Sequence, residues 1–442
     1  MTDLRTGVAA PHAPPPVPPS ASLPRRAVPA VLGYAAVRAL GLVVLAVWSA
    51  ARGKSALTLL SARWDSLWYA RVAELGYGYQ VRLPNGDVHS NLAFFPLLPW
   101  LERLLHAATP LSYAHAGLVV SLVASLAAAA GIFAVADHLY GPRVGVCAVL
   151  LWAVLPVAAV QSMAYSESLF TALAAWALYA VLTGRWVSAG LLAALAGLTR
   201  PVGGAVVAAV WVAAAVSFVR DRSAARADGA RPPTRAPSCS TAPPSPSTAP
   251  PSSTAPPSST AARSSTAARS STAARSSTVR RLLGMAVAPL GAAGYVLWVG
   301  HRTGKGPLGY LDVQAGWRNG FDGGYAFARF VAEKFTSFPG ALAGVGLIVG
   351  VALLLWLYVT GVRRGQPLGL LVYTGVVLAL ALCASSYFGS KPRLLLPAFP
   401  VLFPLAAALA RLRTPRSALV TAGLAIVSAV YGAFWLNGSG PP

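Results

Sequence analysis

The chain has 442 residues, of which 56% are hydrophobic and only 11% are charged, and its formal net charge is +23. So much apolar sequence exceeds what a soluble core buries, which excludes a soluble globular protein and predicts a membrane protein. The charge does not indicate a nucleic-acid partner, because ten of the 35 basic residues lie within residues 220–281 and the others stand at the ends of apolar runs.

Before the first apolar run, residues 1–27 are proline-rich and lack the apolar stretch of a signal peptide, which predicts a disordered cytoplasmic tail. The runs that follow predict an all-α polytopic bundle of about 11 transmembrane helices. They cover residues 28–50, 114–136, 143–161, 167–183, 186–199, 201–219, 282–300, 340–360, 367–386, 394–411 and 417–436.

The runs divide into an N-terminal half, 28–219, and a C-terminal half, 282–436, followed by a tail at 437–442. Residues 220–281 separate the halves and consist mainly of Arg, Ser, Thr, Ala and Pro, with three copies of AARSST near the end. A segment of this composition has no apolar face to bury, so we predict a disordered cytoplasmic loop.

Arginine clusters predict the orientation of the bundle. If the N-terminus is cytoplasmic, the alternation of the helices places the arginine clusters inside, as the positive-inside rule requires. The C-terminus and the loops 51–113 and 301–339 are then extracytoplasmic, in a multi-pass membrane protein. The arginines placed inside are Arg25, Arg26, Arg143, Arg185, those of the 220–281 segment, Arg363, Arg364, Arg411, Arg413 and Arg416.

The first outer loop contains the longest polar interval near the front of the chain, from Arg63 to Pro99. A helix over 66–75 would carry an apolar face with tryptophans suited to a membrane surface, which predicts an amphipathic interfacial helix with Asp65 at the mouth of the bundle. The residues predicted to share one side are Trp64, Leu67, Trp68, Arg71, Val72 and Leu75.

Acidic residues gather on the same predicted outer side, which holds eight of the twelve. A general depletion of acids elsewhere in an arginine-rich protein is an alternative account. It explains Glu167 less well, because this residue opens an apolar helix, where a carboxylate needs water or a partner. The eight are Asp65, Glu74, Asp87, Glu102, Glu167, Asp312, Asp322 and Glu333.

A set of motifs occurs in a characteristic order: RWDSLWYARVAELGY, then NLAFFPLLPWLERLL, YSESLFTALAAWAL (165–178), LAGLTRPVG (195–203), PLGYLDVQAGWRNGF (307–321) and PRLLLPAFPVLFPLA (392–406). This set resembles the GPI mannosyltransferases of the PIG-V family and their bacterial relatives. The resemblance covers most of the chain outside the tail and residues 220–281.

The resemblance implies a GT-C fold, whose first extracytoplasmic loop carries an acidic residue that matches Asp65. It also implies that the sugar, mannose in the family, comes from a polyprenyl-phosphate donor rather than a nucleotide sugar. The resemblance to the bacterial relatives implies the bacterial plasma membrane, where no GPI anchor is built, so the acceptor stays open among a glycolipid, a cell-wall glycan and a protein.

The residue types suit that reaction, whose transition state is oxocarbenium-like and needs a carboxylate near the acceptor hydroxyl. Asp65 is the candidate general base, and the alternative is that it caps the helix 66–75. Glu167 is a second candidate catalytic residue that would orient the acceptor or the base, or only cap its own helix.

The departing phosphate needs cations, and three basic residues stand at predicted outer helix ends. Arg200 lies beside Pro201 at the junction of two short helices, and Lys391 and Arg393 precede an apolar run. The alternative for each is an interfacial side chain that reaches out to water. This alternative explains Lys391 about equally well, and it explains Arg200, beside its proline, less well.

Aromatic and amide side chains are candidates for binding the sugar or the acceptor, although an interfacial aromatic belt explains the aromatic ones almost equally well. No metal site is predicted, because Asp65, His89 and Glu102 lack a metal-ligand spacing and the three cysteines are unpaired in sequence; a divalent cation stays open. The candidate sugar-binding residues are Trp64, Trp68, Tyr69, Tyr310, Gln314 and Trp317.

The main alternative function is a polytopic transporter or lipid flippase. Such proteins place ionisable residues inside their membrane helices, whereas here the run interiors hold almost none. A third alternative, a scaffold that recruits partners, has only residues 220–281 in its favour.

Overall fold

The computed structural model describes residues 22–229, 277–385 and 387–438, which form helices and one two-stranded hairpin. The predicted tail residues 1–21, the segment 230–276 and residues 439–442 lie outside the described residues. In chain order the elements are α1 Leu23–Ala51, α2 Ala56–Ser61, α3 Asp65–Leu75, β1 Gln80–Arg82, β2 Val88–Ser90, α4 Leu97–Ala108, α5 Tyr113–Tyr140, α6 Pro142–Ala153, α7 Ser166–Leu182, α8 Trp186–Gly197, α9 Gly204–Gly229, α10 Ser277–Thr303, α11 Gly309–Gly316, α12 Tyr325–Glu333, α13 Phe338–Arg363, α14 Leu368–Cys383, α15 Lys391–Leu394, α16 Phe403–Arg411 and α17 Thr414–Leu436.

The described helices confirm the predicted all-α, multi-pass membrane architecture. Six of them are long and apolar enough to cross a bilayer, and a seventh span results if the segments 388–394 and 399–411, bent by 74°, count as one. Four shorter apolar helices, α6, α7, α8 and α14, have 12, 17, 12 and 16 residues. Each of the eleven predicted apolar runs contains an α-helix among its described residues, although the run 143–161 leaves its α-helix after Ala153. The four shorter helices are short for a bilayer core about 30 Å thick.

The break predicted at Arg200 is present. Helix α8 ends at Gly197, Arg200 is extended, and Pro201 opens a single 3-10 turn before α9 begins. Proline disfavours a helical residue before it, which explains the interruption. A side chain at Gly203 would collide with the backbone of Gly197, so the turn can lie this close to the end of α8 only because residue 203 is glycine.

Two helices extend beyond their predicted ends. Helix α1 begins at Leu23, inside the predicted tail 1–27, and α9 continues to Gly229, inside the predicted disordered loop 220–281. At the other end of that loop α10 begins at Ser277. Alanine and arginine favour helix, and a helix that leaves the bilayer continues until its sequence breaks it.

The interior of the bundle is built largely from alanine, which allows helices to pack at short distance. A side chain at Gly190 of α8 would collide with the backbone of Gly284 of α10. Fully buried alanines on α5, α6, α7 and α8 include Ala128, Ala129, Ala148, Ala174 and Ala193.

Contacts between distant segments define two ends of the bundle. At one end Arg26 pairs with Asp137, and Arg281 pairs with Asp221 at 2.5 Å. The opposite end carries α2 to α4, the hairpin and α11. There, Trp317 of α11 donates to the Ser90 carbonyl at 3.0 Å. This second end is the one predicted to be extracytoplasmic, and its orientation in the membrane stays a prediction.

Helix α3 contacts the rest of the protein through a side that the sequence pattern did not single out. It begins at Asp65, and it buries Ser66, Tyr69, Val72 and Ala73. The leucines placed on the predicted face, Leu67 and Leu75, are instead 53% and 69% exposed. In a membrane protein an exposed leucine can face lipid, so apolar character does not identify the side of a helix that contacts the protein.

Candidate active site

Four charged side chains from four distant segments meet at the predicted outer end, and all four were candidates from the sequence. Arg393 Nη1 lies 2.6 Å from Asp65 Oδ2 and 3.7 Å from Glu167 Oε1. Arg200 Nη1 lies 2.5 Å from the same Glu167 oxygen. The charges alternate along the series Asp65, Arg393, Glu167, Arg200, which we call the ion-pair cluster, and they sum to zero.

The cluster is buried at one side and more open at the other. The Glu167 side chain is 3% exposed and Arg393 is 10% exposed, whereas Asp65 is 26% exposed. Burial at this depth requires that each charge has an opposite charge close by. A substrate that approaches the cluster would therefore meet Asp65 before Glu167.

Helix ends and interruptions position three of these side chains. Glu167 stands in the first turn of α7, where a carboxylate complements the positive end of the helix dipole. Arg200 is the extended residue before Pro201, and Arg393 belongs to the short α15, which starts at Lys391 and Pro392. A proline thus stands directly beside each of the two arginines, where the helices are interrupted.

Asp65 does not have the capping role that was its alternative. The N-cap residue of α3 is Trp64, and Asp65 is the first helical residue, with its carboxylate on Arg393. Its backbone N–H points to the Tyr165 hydroxyl at 3.4 Å. Trp64 itself has φ 54°, a conformation that is costly for a residue with a side chain and is often found at functional sites.

Two residues beside Glu167 belong to the site and were missed. The ring of Tyr165 lies 5.1 Å from the Arg393 guanidinium. Ser166 Oγ shares a 2.7 Å hydrogen bond with the Tyr69 hydroxyl, whose pKa is raised by burial, so that the phenol stays neutral. Their place next to Glu167 in YSES was the available signal.

The predicted sugar-binding residues fall into separate groups. Trp68 stacks on Phe94 with ring centroids 5.6 Å apart and meets Trp317 edge-on at 4.9 Å. Phe94 also contacts Tyr69 at 5.1 Å, which joins this aromatic group to α3 and the ion-pair cluster. Phe94 was not among the sequence candidates.

Tyr310, Gln314 and Trp64 lie in other surroundings. Tyr310 is 5% exposed and packs against Phe95 at 5.5 Å, and Gln314 donates to its hydroxyl at 2.5 Å. Trp64 lies against the Arg63 guanidinium at 3.9 Å. These contacts hold the outer segments together, and they give none of the three residues a direct contact with the charges.

Lys391 is not brought into the ion-pair cluster, although it was predicted with Arg393 as a phosphate ligand. Its ammonium donates to the carbonyls of Ala381 and Ala384 at 3.0 and 2.6 Å. The last carbonyls of a helix have no partner within the helix, and Lys391 satisfies those of α14. Over the described ranges, no group of three or more His, Cys, Asp and Glu residues could hold a metal ion.

An apolar groove opens between α4, α8 and α10, with a volume of about 780 Å³. Its walls include Trp100, Leu195, Leu198, Tyr295 and Trp298. Leu198 is two residues before Arg200, so the groove adjoins the turn that carries one cation of the cluster.

No protein-family model and no curated protein matches the sequence. Solved structures similar to it include ArnT from Cupriavidus metallidurans bound to undecaprenyl phosphate, with a TM-score of 0.49, 16% identity and 89% of this chain covered. The apo state of ArnT gives 0.48, with the same identity and cover. An Archaeoglobus fulgidus oligosaccharyltransferase in complex with Zn and sulfate gives 0.42, 14% and 91%.

This chain spans 63%, 62% and 53% of the lengths of those three structures. At TM-scores under 0.5 and such low identity, the similarities establish neither a shared fold nor a shared activity. The functional conclusion rests on the geometry of the site.

Proposed function

We propose that this protein is a membrane glycosyltransferase of the GT-C type. It moves a hexose, mannose by the resemblance to the PIG-V family, from a polyprenyl-phosphate donor to an extracytoplasmic acceptor hydroxyl with inversion at the anomeric carbon. The observation that carries the proposal is the ion-pair cluster, in which two carboxylates and two guanidiniums meet at a partly open membrane site.

The chemistry requires one proton acceptor and one site for a leaving phosphate. The acceptor oxygen attacks the anomeric carbon on the face opposite the phosphate, and its proton passes to the Asp65 carboxylate. The bond from the anomeric carbon to the phosphate oxygen breaks, and the polyprenyl phosphate leaves with the electron pair. Arg393 and Arg200 stabilise the negative charge that develops there.

The resting pairs suggest how donor binding prepares the base. Arg393 now neutralises Asp65 at 2.6 Å, so an arriving phosphate competes with Asp65 for the same guanidinium. When the phosphate takes Arg393, Asp65 loses its cation and becomes a better proton acceptor. Glu167, the most buried of the four, stays with Arg200 and keeps both arginines in position.

The apolar groove supports a lipid-linked donor. It has an almost wholly apolar lining, which includes Leu198, two residues before Arg200. An isoprenoid tail in this groove would bring its phosphate toward a buried cation. The acceptor side is supported by the aromatic group Trp68, Phe94 and Trp317, since aromatic rings provide apolar surface for the faces of a pyranose.

The decisive experiment supplies the purified protein with one donor at a time. Membranes from a strain that lacks this protein provide the acceptors, and the donors are labelled polyprenyl-phosphate mannose and labelled GDP-mannose. We expect transfer from the lipid donor and none from GDP-mannose when lipid carriers are removed. Transfer from GDP-mannose without any lipid carrier would overturn the proposal.

A further inference from the structure

The C-terminal end of α17 is tied to the turn that precedes the candidate base. Arg63 donates from Nη1 to the Leu436 carbonyl at 2.5 Å and from Nη2 to the Gly438 carbonyl at 2.6 Å. The Leu436 carbonyl is one of the last of α17, which lack partners within the helix, and Gly438 lies two residues beyond the end of that helix. A planar guanidinium with two parallel donors suits such a pair of carbonyls, and an ammonium does not.

The same arginine forms the turn from α2 into α3. Its backbone carbonyl accepts from Ser66 Oγ at 2.6 Å, and its N–H donates to that same hydroxyl oxygen at 2.8 Å. Its guanidinium lies 3.9 Å from the Trp64 ring centroid. Arg63 is therefore fixed both by α17 and by the first turn of the helix that carries Asp65.

Trp64 occupies the one strained position in this turn. Its φ of 54° is rare for a residue with a side chain, and such conformations persist only where neighbouring groups enforce them. Because the very next residue is Asp65, a relaxation of Trp64 would rotate the start of α3 and move the carboxylate away from Arg393. The contacts that hold Trp64 therefore also determine where the base points.

We propose that Arg63 is a positioning residue, through which the end of α17 holds Trp64 in its left-handed conformation and so aims the Asp65 carboxylate into the site. This assignment rests on the proposed function for its catalytic consequence. Its structural half, that Arg63 holds the turn, does not depend on the proposed function. Arg63 itself need not contact either substrate.

The chain provides a matched control. Lys54 donates to the Asn437 carbonyl at 2.8 Å, between the two carbonyls that Arg63 binds, but it has no contact with Trp64 or Asp65. Lys54→Ala and Arg63→Ala each remove a cation from the same helix end. Only the second also removes a contact with the turn.

The catalytic test measures transfer from labelled polyprenyl-phosphate mannose to acceptors in membranes that lack the native protein. We expect Arg63→Ala to lower kcat on the order of 10- to 100-fold, with the donor KM changed by less than about twofold. Arg63→Lys should restore part of kcat, and Lys54→Ala should keep it within about twofold of wild type. A raised donor KM with unchanged kcat would show that Arg63 binds the donor, and it would overturn the assignment.

A second measurement needs no activity. Hydrogen exchange of the full-length protein should speed up at the amides of Ser66 and Leu67, which donate to the carbonyls of Arg63 and Trp64 at 3.3 and 3.1 Å. We expect this in Arg63→Ala and not in Lys54→Ala. Equal exchange in the two variants would refute the structural half, whereas a wild-type protein without transfer would refute the proposed function alone.

Discussion

Two buried glutamates at the predicted outer end have opposite surroundings. Glu167 opens α7 and lies between two arginines, at 2.5 Å from Arg200 and 3.7 Å from Arg393. Glu102 lies on α4 with no exposed surface, and neither of its carboxylate oxygens has a hydrogen-bond partner within the described residues. A side chain at Gly117 of α5 would collide with the Glu102 carboxylate, so α5 packs directly against it.

This difference separates a carboxylate that is paired with cations from one that is buried without a partner among the described residues. Burial without a cation raises the pKa of Glu102 well above its ordinary value, because the charged form loses its hydration. The surroundings of Glu102 therefore favour its protonated form, whereas Glu167 lies between two guanidiniums. In the proposed function, the ion-pair cluster supplies both the carboxylate that accepts a proton and the guanidiniums that attract a phosphate.

The largest expected effect is that of Asp65→Asn, which removes the proton acceptor and keeps the shape of the side chain. We expect transfer to fall by ~10² to 10⁴. Binding of polyprenyl phosphate should be retained or tightened, because Arg393 no longer has Asp65 as a competing partner. Transfer assays and titration of binding with undecaprenyl phosphate measure the two effects.

The control for that experiment is Glu102→Gln, which should leave turnover within about twofold of wild type. If Asp65→Asn keeps near wild-type turnover, the first outer loop is not the catalytic one. Glu167 then becomes the candidate base.

Next in size is the contrast between Arg393→Ala and Lys391→Ala, two residues apart on α15. Arg393→Ala leaves Asp65 and Glu167 with one cation fewer. We expect the donor KM to rise more than about tenfold. We also expect the free energy of unfolding to fall by about 3 to 5 kcal/mol. The second removes hydrogen bonds to the end of α14 and should change the donor KM by less than about twofold.

Steady-state kinetics with thermal unfolding distinguishes the two variants. If both substitutions raise the donor KM equally, Lys391 also binds the donor phosphate, contrary to this prediction. Arg393→Lys should recover part of the affinity if a point charge suffices, and none if the phosphate needs two parallel donors.

A smaller effect is expected for the stability of Glu102→Gln across pH. The folded-state pKa of Glu102 is raised above the unfolded value near 4.5, so its protonated form contributes stability that is full below that pH. As pH rises through the folded-state pKa, this stability is lost, at about 1.4 kcal/mol for each unit of the pKa difference. Unfolding curves of wild type and Glu102→Gln should therefore diverge as pH rises, with the variant more stable; parallel curves would contradict the assignment.

The smallest effect should come from deleting residues 230–276 and joining 229 to 277 with a short Gly-Ser linker. The deletion spares the described parts of α9 and α10, which are adjacent there because Arg281 bonds Asp221 at 2.5 Å. We expect unchanged transfer, since this end of the bundle is opposite the ion-pair cluster. Loss of transfer in a protein that still folds would favour a role for the segment in activity.

The sequence by itself determined the membrane architecture, since apolar runs of bilayer length must be helical where backbone groups find no water. It also singled out Asp65, Glu167, Arg200 and Arg393, because charged residues beside apolar helices need partners. It could not pair them, nor tell Arg393 from Lys391, which differ only in what their side chains reach.

Only the tertiary structure decided those pairings, together with the buried side of α3 and the membership of Tyr165 and Ser166. Several of these contacts join segments far apart in the chain, such as the Arg393–Asp65 pair at 2.6 Å and the 2.7 Å bond between Tyr69 and Ser166. Local periodicity reports which residues share a helix face, but lipid and protein are both apolar surroundings, so it cannot report which face meets which neighbour. The contacts that turn a polar interval into a site therefore follow from how the broken helices pack.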